Sequence, residues 1–254
     1  MSHSLGYVRM LACGVVVVAG CSHSVGGHPV ARRSESSPAA SAQLLRQFIP
    51  DDGDISGAVR APMKTALVGR PGGLERLPNG MAEASPMECL GAATPGMQQT
   101  YEPAPVRGTI EAEWESVSGA EMFPEPDYRL YVTLVELDSP ASAHSFYTRF
   151  VSQWRRCEGR SVRTKSAIIG ADSDDFADIT RVNEDGGVLN AIVLDKSGET
   201  DNNPLPRMRA LTAVSRYLVD VGVAQIVGRR GEPTTSAPAV AVARVVADRI
   251  VSTG

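Results

Sequence analysis

Four histidines and four cysteines carry most of the nucleophilic and metal-binding chemistry open to this chain of 254 residues. His3, His23 and His28 precede the patterned part of the sequence, and only His144 lies within it. A Ser-His-Asp or Cys-His arrangement needs a histidine beside its nucleophile, so any such site would have to use His144. A lone histidine beside the apolar face of a helix is more often packed or solvated than catalytic. The sequence therefore argues against nucleophilic catalysis.

Carboxylates offer two other kinds of chemistry. Asp172, Asp174, Asp175 and Asp178 lie close together in "DSDDFAD", and hard cations prefer such oxygen ligands. The turn glycine and closing glutamate of a calcium loop are missing, so the segment is typical of a solvated loop, and zinc would need cysteine or histidine partners. A pair such as Asp174 with Glu184 could still act in acid–base catalysis. We expect no metal and no cofactor.

The thiol of Cys21 points to a covalent modification. Residues 10–20 form an apolar run that is shorter than the roughly 20 residues needed to span a bilayer. Arg9 precedes the run and small residues end it, so residues 1–20 have the layout of a signal peptide. Val18-Ala19-Gly20-Cys21 resembles the bacterial lipobox, in which the thiol takes a diacylglycerol and the chain is cut before the cysteine. The mature protein is therefore expected to begin at a lipidated Cys21, anchored to the extracytoplasmic face of the cell membrane.

The segment after the anchor has the composition of a tether. Residues 22–41 are rich in Ser, Gly, Pro and Ala and contain almost no large apolar side chain, so together with Cys21 they form a predicted flexible region. The formal charge falls from −4 to −5 when residues 1–20, which hold one arginine and no acid, are removed. A weakly acidic chain without a long basic run gives no basis for nucleic-acid binding.

The remaining cysteines predict a disulfide. Cys13 leaves with the signal peptide and Cys21 carries lipid, so Cys89 and Cys157 stay in the exported domain. Thiols pair readily in an oxidising compartment. We expect a Cys89–Cys157 bridge that closes a loop of roughly 70 residues.

Strands are predicted on both sides of one long helix, from alternation in 108–116, from a longer apolar run in 128–137, and from runs separated by turn-like segments after the helix. The helix follows Ser139 as a cap and Pro140 in its first turn. A shorter helix is expected after Ser41, ending before Pro50, and a final one near Pro238. Residues 50–88 are broken by Pro and Gly and suggest loop with a few extended pieces. The predicted strands are 108–116, 128–137, 176–182, 187–195, 208–215 and 217–225.

This order of elements argues for an α+β domain over residues 42–254. Its helices are expected to pack on one face of a mainly antiparallel β-sheet, with a cleft. In strand 108–116 the apolar Ile110 and Trp114 alternate with Glu111 and Glu113, which predicts one wet face.

Four features together resemble the PknH-like extracellular sensor domain of mycobacteria. They are "MECLGA" (87–92), the helix end "QWRRCEG" (153–159), the "RALT" strand and a closing amphipathic helix, and the resemblance covers roughly residues 42–251. That family comprises a receptor-kinase ectodomain and many lipoproteins that carry the domain alone. The resemblance implies a cleft between helices and sheet that binds a ligand, and no catalytic residues.

The resemblance also implies a second disulfide that this chain lacks. Family members join a cysteine at the start of the "RALT" strand to one at the end of the next strand. The corresponding positions are Arg207 and about Ala224, so both partners are missing together.

Three hypotheses for function follow. The leading one is a membrane-tethered, sensor-like module that binds a small molecule or lipid in a cleft lined by Phe146, Tyr147, Phe150 and Trp154; at this spacing the same aromatic residues also fit a core. The second is an interaction protein that docks on another envelope protein through a flat apolar patch. The third is a hydrolase, which the scarcity of histidine disfavours.

Overall fold

A computed structural model of the protein describes residues 38–117, 127–165, 173–227 and 235–253. These ranges belong to one compact unit, residues 36–254. The predicted signal peptide, Cys21 and residues 22–37 of the predicted tether (22–41) lie outside the described residues, whereas residues 38–41 begin helix α1. None of the helices in the described ranges has the length and apolar content needed to span a bilayer.

The described ranges contain six α-helices and eight strands. The helices are α1 (Pro38–Gln47), α2 (Asp52–Val59), α3 (Leu90–Ala93), α4 (Gln98–Tyr101), α5 (Pro140–Cys157) and α6 (Ala237–Thr253). The strands are β1 (Met63–Val68), β2 (Val106–Ser116), β3 (Asp127–Leu137), β4 (Ser161–Lys165), β5 (Asp174–Asp185), β6 (Val188–Lys196), β7 (Leu205–Val214) and β8 (Tyr217–Val227).

All eight strands form one sheet in the order β1-β2-β3-β8-β7-β6-β5-β4, and every neighbouring pair is antiparallel. The connections from β4 to β8 run between adjacent strands. The α+β class and the antiparallel sheet predicted from sequence are confirmed.

The helices cover both faces of the sheet, whereas the sequence predicted one covered face. In β8, Val219 and Val221 pack in the core that contains α6, while the preceding Leu218 packs in the core that contains α5. Helices α1, α2 and α6 cover the first face, and α3 and α5 cover the second. The reason lies in the strands, because β7 and β8 present apolar side chains in both directions and each face must then be buried.

Helix α5 begins as its sequence predicts. Ser139 caps it by accepting a hydrogen bond from the Ser142 amide at 3.1 Å, and Pro140 occupies the first turn. The predictions before β2 were less accurate. Helix α1 begins at Pro38, so Ser41 is not its cap and instead donates to Glu136. Helix α2, capped by Asp51, lies in a region predicted to be loop.

Candidate functional site

The predicted disulfide is present and holds a short segment against helix α5. Cys89 and Cys157 are bonded, with their Cα atoms 5.5 Å apart. Both cysteines are buried, and Cys89 directly precedes α3. The bridge therefore fixes the start of the segment 89–97, which crosses the sheet beneath α5.

Two arginines on β7 hold the carbonyl groups at the end of this segment's helix. Arg209 donates from Nη2 to the Gly91 carbonyl at 2.8 Å and from Nε to the Ala92 carbonyl at 3.3 Å. Arg207 donates from Nη1 to the Ala93 carbonyl at 3.1 Å. The last carbonyls of a helix have no partner within it, and they carry partial negative charge. Here the guanidinium groups of Arg207 and Arg209 donate hydrogen bonds to these carbonyls.

Asp220 on β8 completes a buried polar network. Its Oδ1 lies 2.9 Å from Nη1 of Arg209, and the two side chains are 2% and 0% exposed. Its Oδ2 accepts from the Tyr101 hydroxyl at 2.7 Å and from the Gly96 amide at 3.0 Å. Burial, with the nearby Asp220 carboxylate, holds the pKa of Tyr101 well above its usual range. These contacts tie both ends of the segment 89–97 to the sheet.

A cavity of about 520 Å³ opens beside this network, where strands β5 and β7 begin and strands β6 and β8 end. Polar and apolar side chains both line it. Its walls are Met81, Ala93, Thr94, Val162, Thr164, Asp175, Phe176, Ala177, Asp195, Lys196, Ser197, Asp201, Asn203, Leu205, Arg207 and Ile226. A concave site with mixed walls is the usual form of a small-molecule site.

The four aromatic residues proposed for the cleft lie in the core instead. Phe146, Tyr147, Phe150 and Trp154 are at most 8% exposed and pack with the core under α5, and none of them lines the cavity. Residues spaced three and four positions apart lie on one face of a helix, and here that face is buried. A role in the core is the alternative that the sequence left open. The cavity is built by strand ends and the turn at Met81.

Other candidate residues from the sequence serve structural roles. His144 is exposed on α5. Asp174 lies in a strand and pairs with Arg163 at 3.1 Å, and Glu184 accepts from Tyr147 at 3.0 Å at the opposite end of β5. The proposed carboxylate pair is therefore not brought together. Asp172 lies outside the described residues, and no metal-ligand cluster occurs among the residues described.

The positions of the missing second disulfide lie opposite each other. Arg207 and Ala224 are partners in the register of β7 and β8, where a bridge joining neighbouring strands would form. Arg207 instead pairs with Asp195 on β6, with 2.7 Å between Nη2 and Oδ2. An ion pair at the cavity wall thus stands where the resemblance places a disulfide.

Glu111 on β2 lies on the face predicted to be wet, but the segment 89–97 partly covers it. A Cβ atom added at Gly96 would lie 2.8 Å from Glu111 Oε1, and the one hydrogen-bond donor to that oxygen among the described residues is the Thr133 hydroxyl, at 3.5 Å. The pKa of Glu111 is raised to about 7, mainly by burial and in smaller part by the Asp220 and Glu113 carboxylates.

We expect Glu111→Gln to stabilise the protein at pH 8 and to have little effect at pH 4. A carboxyl group whose pKa is higher in the folded state favours folding below its unfolded value, and this contribution is lost as the pH rises through about 7. The expected gain in unfolding free energy at pH 8 is about 2 kcal/mol, after the pKa shift is discounted because the side chain is partly exposed. Urea unfolding from pH 4 to 8 measures it. Glu102→Gln, at an exposed glutamate that is not among the causes of the Glu111 shift, is the control, and an equal gain at both pH values would contradict the assignment.

The network and the cavity were missed by the sequence analysis. One local signal was available, because Arg209 and Asp220 interrupt otherwise apolar strands, and buried charges in such strands are normally paired. Nothing local indicated that the partners of Asp220 include Tyr101 and the Gly96 amide.

Comparison with known proteins gives one family and a matching fold. The family model described as PknH-like extracellular domain matches residues 40–249. The solved extracellular domain of PknH from Mycobacterium tuberculosis aligns with a TM-score of 0.62 at 13% identity, over 83% of this chain and 96% of that one. An uncharacterized protein from Mycobacterium smegmatis aligns with a TM-score of 0.40 at 13% identity, over 79% and 97% of the two chains. No curated protein matches the sequence.

Proposed function

Because the chain belongs to the PknH-like extracellular domain family, we propose that it is a non-catalytic, sensor-like binding module that takes a small molecule. The cavity of about 520 Å³ at the ends of β5 to β8 carries this proposal. Its walls combine charged side chains with apolar ones, as ligand sites do.

We place the domain outside the cytoplasmic membrane, tethered through a lipid on Cys21. The short apolar run and the small residues before Cys21 support this placement. The Cys89–Cys157 bridge fits an oxidising compartment. The lipid anchor would keep the binding domain at the membrane surface.

We expect no catalysis because the reactive side chains lie far apart on the fold. His144 is exposed on α5, away from the cavity walls, and Asp174 and Glu184 lie at opposite ends of one strand. Acid–base chemistry needs its groups within hydrogen-bond reach of one substrate.

A second candidate is docking on another envelope protein. Edge strand β1 exposes Leu67 and Val68, which are 55% and 38% exposed. Exposed apolar residues on an edge strand favour protein contacts. Because of the cavity, we rank a small-molecule ligand ahead of a protein partner.

Mass spectrometry of the lipidated protein tests both parts of the proposal. The protein is exported by a bacterial host that processes lipoproteins, extracted in mild detergent, and weighed under native and denaturing conditions. The denatured mass should equal residues 21–254 plus the lipid, less two hydrogens for the disulfide. The native mass should be larger by a bound molecule that denaturation releases.

Two variants serve as controls. Cys21→Ala should lose the lipid mass and leave the membrane fraction while still retaining the bound molecule. Ala177→Phe adds a ring at the cavity wall and should lose that molecule. A native mass without any addition would contradict ligand binding, and a wild-type mass without lipid would contradict the anchor.

A further inference from the structure

The positive charges at the cavity wall are already engaged by the protein. Arg207 donates from Nε and pairs from Nη2 to the same oxygen of Asp195, at 2.9 Å and 2.7 Å. Its Nη1 donates to the Ala93 carbonyl at 3.1 Å and to the Thr94 hydroxyl at 3.3 Å. All three guanidinium nitrogens thus have partners. Lys196 pairs with Asp178, which is not a wall residue.

The negative charges of the wall are less well neutralised. Within the described part of the chain, no hydrogen bond or ion pair engages the side chain of Asp175. Arg207 binds only Oδ2 of Asp195, which leaves Oδ1 outside that pair. Burial is the main cause that raises the pKa of Asp195, Arg207 opposes the rise, and Asp175 adds to it. Asp195 lies opposite Ala177 in the register of β5 and β6, and Asp175 is two residues before Ala177 on the same face, so the two carboxylates share one wall and repel each other.

Apolar side chains line the same cavity. Leu205 and Ile226 are 36% and 39% exposed, although apolar residues of this size are usually buried. Covering them with an apolar group would be favourable, by about 25 cal/mol for each Å² removed from water.

We propose that the cavity selects a small molecule that carries a primary ammonium group beside an apolar portion. The ammonium group binds Asp175 and relieves its repulsion with Asp195, and the apolar portion covers Leu205 and Ile226. A carboxylate ligand is disfavoured because every guanidinium nitrogen of Arg207 already has a partner and because Asp175 and Asp195 would repel it. This inference rests on the proposed function, since it names the ligand class of the same cavity.

Three probes of equal chain length test the inference: hexylamine, hexanol and hexanoate. They are titrated into the mature chain carrying Cys21→Ser, which needs no detergent, and the amide resonances of the cavity wall are followed by NMR. Hexylamine should shift them saturably, and the other two probes should bind at least about tenfold more weakly, since a hydrogen bond to a charged group adds that much affinity.

Asp175→Asn is the test variant and Asp185→Asn the matched control. Both replace an aspartate of β5, but Asp185 lies at the far end of the strand, paired with Arg244. The first should weaken hexylamine binding about tenfold or more, and the second should leave it unchanged.

Equal binding of the three probes, stronger binding of hexanoate, no saturable shift with hexylamine, or an unaffected Asp175→Asn variant would each overturn the ammonium assignment. The mass measurement separates this failure from that of the proposed function. If the native spectrum shows a bound molecule, the proposed ligand binding stands and only the assignment of an ammonium ligand is rejected. An empty native spectrum together with silent probes would overturn both.

Discussion

Asp220→Asn is expected to lower the free energy of unfolding by about 3–5 kcal/mol, because it leaves the buried Arg209 without its counter-charge. The Arg209 side chain is 0% exposed, so water cannot take over the lost interaction. The asparagine also weakens the bonds that Asp220 accepts from Tyr101 and from the Gly96 amide. Urea unfolding followed by circular dichroism measures the loss.

Two controls separate the charge from the hydrogen bonds. Tyr101→Phe removes one neutral donor from Asp220 and should cost only about 1–2 kcal/mol. Arg209→Met with Asp220→Leu removes both charges, so its cost should fall well below the sum of the two single changes. An Asp220→Asn variant as stable as Tyr101→Phe would show that the Arg209–Asp220 charge pair is not what holds the segment 89–97.

The sequence predicted those helices and strands whose caps, prolines and apolar spacing all lie within one short stretch of the chain. Helix α5 was predicted from its cap, its first-turn proline and its apolar spacing, all of which lie within 19 residues (139–157). Strand β2 was predicted from alternation, β3 from its longer apolar run, and β5 to β8 from runs separated by turn-like segments. Helix α2 was missed because its apolar residues are few, with only Ile55 and Val59 buried.

The network could not be predicted because its members are distant in sequence. Tyr101 and Gly96 lie 119 and 124 residues before Asp220, and only the register of β7 and β8 brings Arg209 to the same point. The cavity has the same origin, since its walls come from strands β4 to β8 and from the segments at Met81 and Ala93. Sequence could offer only the aromatic face of α5, whose spacing is more often that of a core than of a cleft.

Replacing Cys89 and Cys157 together with alanine is expected to cost about 4 kcal/mol of unfolding free energy, since the two residues are separated by 68 positions. The bridge limits the conformations of the unfolded chain, and longer loops lose more freedom on closure. Alanine is preferred to serine because both sites are buried and a hydroxyl would add its own penalty. Urea unfolding should also show a larger denaturant dependence, because the unfolded chain becomes more expanded.

The reduced wild-type protein is the matched control and should unfold like the alanine variant. Combining the alanine pair with Asp220→Asn tests whether disulfide and network hold one segment, because Cys89 begins the segment 89–97 and the Gly96 amide near its end is bound by Asp220. Once either restraint is lost and the segment detaches, removing the other costs less, so the combined loss should be smaller than the sum. Strict additivity would mean that the two restraints act on separate parts of the fold, and the segment would then not be a single unit held at both ends.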